Sequence, residues 1–159
     1  MSETPYTNDT SPAAPVPGPT PAPAPLSPSD ERTWAMFAHL SAVINLFTGF
    51  VGPIAALIIY LVFKERSRYV AYQALQSFIF QLITWVGGGM IIGAAWAISG
   101  ILSAVLIGLI LMPCACLLSL LPFGGLIYSV VGAVQTSQGQ DFKYWLVGDW
   151  VRGTLTDRL

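Results

Sequence analysis

Among 159 residues there are seven Lys or Arg and eight Asp or Glu. That 9% is far below the roughly 25% of an ordinary soluble domain, while apolar residues make up 54% and mean hydropathy is +0.65. The charges leave two blocks with none, Thr33–Phe63 and Tyr69–Gln140, which excludes a soluble globular enzyme and predicts an integral membrane protein with the lipid bilayer as its solvent. The net charge of −1 gives no reason to expect nucleic acid.

The N-terminal segment 1–29 carries nine of the twelve prolines, and Pro15 to Pro25 alternate with small residues. Such a stretch buries nothing and lacks backbone donors, so it is expected to be a disordered tail or spacer, or else a ligand for a proline-reading partner. It has no basic start and no apolar core, so it does not read as a signal peptide.

Ser29-Asp30-Glu31 opens the first helix. Ser29 is placed to cap free N–H groups, and the acids suit the positive end of the helix dipole. Arg32 and Trp34 follow as interfacial residues. The first uncharged block would be ~46 Å long as one straight helix, against a hydrocarbon core of about 30 Å. It is too long for one span at ordinary tilt and too short for two full ones. Thr48-Gly49 and Gly52-Pro53 offer a break, so two short helices are expected, about 30–47 and 53–65, in a shallow or re-entrant hairpin, with a single broken span as the alternative.

Lys64 to Arg68 forms a charged loop flanked by Tyr60, Tyr69 and Tyr72. The second block allows two long spans or three ordinary ones. Breaks are available at Gly87-Gly88-Gly89, Ser99-Gly100, Pro113, and Pro122 with Gly124-Gly125. The favoured division is a helix at about 69–97, another from about 101, and a last stretch interrupted near Pro113 or Pro122. Residues 139–159 return to water through Trp145 and Trp150. Arg32, the 64–68 loop, and Lys143, Arg152 and Arg158 flank the blocks, and the bias of Lys and Arg toward the cytoplasm then predicts that the N-terminus, the loop and the C-terminus are all cytoplasmic. No basic cluster exceeds three residues, which argues against a polybasic lipid-reading patch.

No catalytic set is visible. His39 is the only histidine, and neither block holds an Asp or Glu. There is no serine–histidine–acid set and no H-E-x-x-H. Cys114 and Cys116 have no further zinc ligands nearby and are expected to be packing residues. No enzymatic activity, cofactor or metal is therefore expected. His39 is a possible intramembrane polar site, either hydrogen-bonded to a neighbouring helix or acting as a proton relay or ligand. Gln73, Gln76, Ser77, Gln81 and Thr84 are spaced i, i+3, i+4, i+8 and i+11, on one helix face. Amides are costly in hydrocarbon unless partnered. This face is either helix–helix glue or the wall of a polar pathway. Gly89-Gly93-Ala97 and Gly100-Ala104-Gly108 repeat small residues every four positions, which suits close helix packing and a homo-oligomer or another membrane protein as partner.

Several stretches resemble a bacterial family of small multi-pass membrane proteins. They are Arg32-Thr33-Trp34-Ala35-Met36 with His39-Leu40-Ser41, Gly52-Pro53, the Lys64–Ser67 loop, Ala74-Leu75-Gln76-Ser77 and Gly139-Gln140-Asp141-Phe142. The family is of the MamF/MmsF type, long labelled a domain of unknown function, and is considered similar to a chloroplast Tic-complex import component. Many of its members carry a histidine where Gln73 stands. The resemblance implies a fold and a membrane location but no activity. The expected architecture is all-α: a multi-pass helical bundle of about four membrane helices over 30–150, the first pair a short hairpin, with a short polar tail at 151–159. The expected role is a scaffold or accessory subunit in the inner (cell) membrane, with a transport or translocation component as the alternative.

Overall fold

The computed structural model describes residues 24–156, and among them every regular element is helical. Most of the segment expected to be a disordered tail, residues 1–23, lies outside the described residues.

Helix α1 runs Pro28–Thr48, and α2 runs Val51–Phe63. The break falls where the glycines predict it. Gly49 takes φ +76°, a left-handed conformation that costs glycine nothing, and its N–H closes on the Asn45 carbonyl. The start of α1 differs slightly from expectation. Ser27, not Ser29, is the cap, because Pro28 occupies the first turn and has no N–H to satisfy.

Helix α3, Arg68–Gln81, is capped by Ser67. It passes through a π-helical turn at Leu82–Gly87 into α4, Gly88–Leu102. The whole run Arg68–Val105 is one continuous helix of 38 residues. The expected break at about residue 97 is absent. Ser99-Gly100 stays inside α4, because one glycine in a helix costs only about 1 kcal/mol. The chain reverses at Leu106, a non-glycine residue at φ 65°. Helices α5, Ile107–Leu118, and α6, Leu121–Ser137, then form a second long apolar run. Pro113 stays inside α5, and the interruption comes at Ser119-Leu120, just before Pro122. A short helix α7, Gly148–Thr156, takes in much of the segment expected to be a polar tail.

Helix α1 packs against α2, α3 and α6, and α2 packs against α3. Helices α4 and α5 pair mainly with each other. Many of the helix contacts are made by small residues: Ala35, Ala38 and Ala42 of α1, Ala56 of α2, Ala71 and Ala74 of α3, and Ala133 of α6 are all buried, with Ile59, Phe63 and Phe80 among them. The larger apolar side chains Phe47, Ile54, Ile58, Leu61, Met90, Ile101 and Ile110 point outward. Small and polar groups inside with bulky apolar groups outside is the reverse of a soluble core. It is the arrangement that lipid favours, because hydrocarbon solvates Ile and Leu and close packing holds the helices together.

Candidate functional site

The segment 141–147 folds back into the bundle. Phe142, Tyr144 and Val147 are buried there, while Lys143 and Trp145 alternate outward. The Tyr144 ring stacks on Phe80 at 4.0 Å between centroids, and Tyr128 and Phe142 meet it edge-on. Gly132 on α6 makes room for this insertion, since a Cβ there would lie 2.7 Å from the Phe142 ring and 3.1 Å from His39 Nδ1.

Around the inserted segment, the polar side chains of α1 and α3 form one connected network. The Gln73 amide donates to Asp141 Oδ1 (3.2 Å) and to the Phe142 carbonyl (3.1 Å). Its Oε1 therefore faces inward and accepts from His39 Nε2 (2.9 Å) and from the Gln76 amide. Gln76 also donates to the Phe142 carbonyl (2.8 Å), and its Oε1 accepts from the Tyr144 N–H (3.1 Å). Because His39 Nε2 donates to Gln73, Nδ1 is left to accept from the Tyr144 hydroxyl 3.0 Å away. That hydroxyl also lies 2.9 Å from the Ser129 hydroxyl of α6. Burial pushes the Tyr144 phenol above its ordinary range, so it keeps the proton it donates.

One turn deeper, the network continues. The Ser77 hydroxyl donates across to the Ala38 carbonyl of α1 (2.7 Å). The Gln81 amide donates to Ser41 and Ser77, both at 3.0 Å. The Asn45 amide donates to Gln81 Oε1 (3.2 Å), and Asn45 Oδ1 accepts from the Gly52 N–H (2.7 Å). The ladder thus runs from Asp141 at the charged end to the first turn of α2. Gln73, Gln76, Ser77 and His39 are 0% exposed, and Gln81 and Asn45 are 1% exposed.

The structure therefore brings together four of the five residues on the expected polar face, and His39 with them. Thr84 stands apart, because its hydroxyl returns to the Phe80 carbonyl of its own helix. The sequence reading missed Asn45, Ser41, Ser129, Asp141 and Tyr144. Asn45 was detectable by the reasoning applied to the glutamines, since an amide in an uncharged block needs a partner. Tyr144 was not, because nothing in its local sequence announces that the chain turns back into the bundle.

Neither cysteine is placed to act with this network. Cys114 and Cys116 are exposed on α5. Among the described residues, no group of three His, Cys, Asp or Glu side chains gathers in a way that could hold a metal ion.

The model of a magnetosome magnetite crystal formation protein family, MamF/MmsF, matches residues 30–151. The chain belongs to that family. The match covers the bundle, the α4–α5 hairpin and the inserted segment, and it stops inside α7. With the two long apolar helices, membership makes this a membrane-located protein. No curated protein and no solved structure matches the chain, so the expected similarity to the Tic-complex component has no support from these comparisons.

Proposed function

We propose that this member of the MamF/MmsF family is a non-enzymatic, multi-pass scaffold or accessory subunit of a bacterial inner membrane, acting through helix–helix contacts. The family's description concerns magnetite crystal formation, and in this proposal the chain helps organise the membrane in which that process occurs. The observation that carries it is the closure of the polar ladder. Every amide from Gln73 to Gln81 spends its hydrogen bonds inside the chain, and beyond Arg68 the side chains that face outward on the long helices are apolar or small. A translocation route along the same residues would need water beside Gln73, Gln76 and Gln81, and each is 1% exposed or less.

The α1–α2 hairpin and the two long runs together supply four membrane helices. The ends of these elements meet at one level: the Ser67 hydroxyl donates to Glu31, and the Tyr69 hydroxyl donates to the Gln140 carbonyl. The charged ends thus share one side, which the Lys and Arg bias makes cytoplasmic.

Outward contacts would use the face of α4 where Gly89, Gly93 and Ala97 are exposed. A Cβ at Gly89 or Gly93 would meet nothing within 4 Å in this chain. Gly93→Leu should therefore leave the fold intact and disturb assembly with a second copy or a membrane partner, read by cross-linking and migration in detergent. Unchanged cross-linking and migration would count against the proposal.

A further inference from the structure

Three arginines far apart in sequence come to one place. Arg68 opens α3, Arg152 lies on α7, and Arg32 lies on the second turn of α1. Arg68 and Arg152 line an open cleft of about 540 Å³ together with Tyr69, Tyr72, Asp141 and Thr156. A smaller depression shares Tyr69 and Gly139 with it and adds Arg32 and Glu31. Arg32 packs over Gly139, where a Cβ would lie 2.7 Å from its Nε.

The charges here are not cancelled pair by pair. Arg152 reaches Asp141 at 2.6 Å. Glu31 is engaged by the Ser67 hydroxyl. Among the described residues, neither Arg32 nor Arg68 has an ion-pair partner. The Arg152 guanidinium also lies 4.7 Å over the Tyr72 ring. Beneath it, the Tyr72 hydroxyl is the one buried side-chain polar atom among the described residues that has no hydrogen-bond partner.

The position of the cleft selects its ligand. It sits where the uncharged block begins at Tyr69, and its walls mix tyrosines with arginines, as headgroup-level surfaces do. Guanidinium groups suit phosphate oxygens, which they bind through paired N–H donors. We propose that this cleft binds the phosphate of an anionic phospholipid headgroup, held by Arg68 and Arg152 with Arg32 at its edge. No linear basic segment encodes the site, since the fold assembles it from three helices.

The test uses the full chain in detergent, titrated separately with phosphatidylglycerol, phosphatidylcholine and inorganic phosphate. Thermal stability and lipid retention in native mass spectrometry are the readouts. Phosphatidylglycerol should stabilise the protein and be retained, while phosphatidylcholine should not. Arg68→Gln should weaken phosphatidylglycerol binding about tenfold, the loss expected for one charged hydrogen bond. Arg66→Gln removes the same charge from the neighbouring loop, outside the cleft, and should leave binding unchanged. Both variants should melt like the parent in phosphatidylcholine alone, because both side chains are exposed. Equal retention of the two lipids, or equal losses in the two variants, would overturn the site. Stabilisation by inorganic phosphate that matches phosphatidylglycerol would overturn the lipid as its source.

Discussion

Replacing Gln76 by Leu separates the inserted segment from the bundle while leaving the helices their apolar packing. Gln76 makes three hydrogen bonds, and their loss is not equal. The Phe142 carbonyl keeps Gln73, and Gln73 Oε1 keeps His39. The Tyr144 N–H loses Gln76 Oε1, its one partner among the described residues. A buried donor left unpaired costs about 1–3 kcal/mol, so Gln76→Leu should destabilise by about 2 kcal/mol. For a chain of this size that corresponds to a fall of about 4–8 °C in Tm. His39→Leu makes the informative contrast. Its partners are each held by another group: Gln73 Oε1 by Gln76, and the Tyr144 hydroxyl by Ser129. It should cost about 1 kcal/mol, the net value of an ordinary hydrogen bond. Thermal unfolding in detergent, followed by the fluorescence of Trp145, measures both, with Gln138→Leu on the exposed surface as control. Hydrogen exchange at Tyr144 should accelerate in Gln76→Leu more than in His39→Leu. Equal Tm for Gln76→Leu and the control, or a larger loss in His39→Leu, would refute the reasoning.

Other substitutions probe the close approaches and the turn. Gly52→Ala should destabilise by about 1–3 kcal/mol, the usual cost of overpacking, because its Cβ would sit 2.5 Å from both the Ser41 carbonyl oxygen and Gln81 Oε1. Chemical denaturation in mixed micelles checks this, and a loss below that of Gly93→Ala would contradict it. Leu106→Gly should stabilise the α4–α5 hairpin by about 1 kcal/mol, since a left-handed backbone costs a non-glycine residue about 1–2 kcal/mol and Leu106 is 70% exposed with little packing to lose. A lower Tm would argue against that strain. Reporter fusions at Ser67 and Leu159 should both report the cytoplasm, and opposite answers would overturn the placement of the charged ends on one side.

The elements legible in the sequence are those whose cause is local. Gly49 needs a left-handed backbone, and it acts within a few residues of itself. The polar face of α3 was legible for a related reason: its period is helical and each amide in hydrocarbon demands a partner. What lay beyond the sequence was the identity of the partners. Asp141 and Tyr144 reach Gln73 and His39 only because residues 141–147 turn back over Gly132, a contact between segments more than 60 residues apart in the chain. The same holds for Arg32, Arg68 and Arg152, each unremarkable alone. The break expected at Ser99-Gly100 misled for a physical reason. One glycine weakens a helix by only about 1 kcal/mol, and the pairing of α4 with α5 carries the helix through it to Leu102.

The polar ladder is closed packing between helices and not a route for water. Cysteines placed singly at Gln73, Gln76 and Gln81, in a background lacking Cys114 and Cys116, test it in intact membranes with a water-soluble thiol reagent. No labelling is expected at any of the three, with full labelling at an exposed control such as Gln138→Cys. Labelling at two successive rungs, Gln76 and Gln81, would contradict it and would make the ladder a water-filled path.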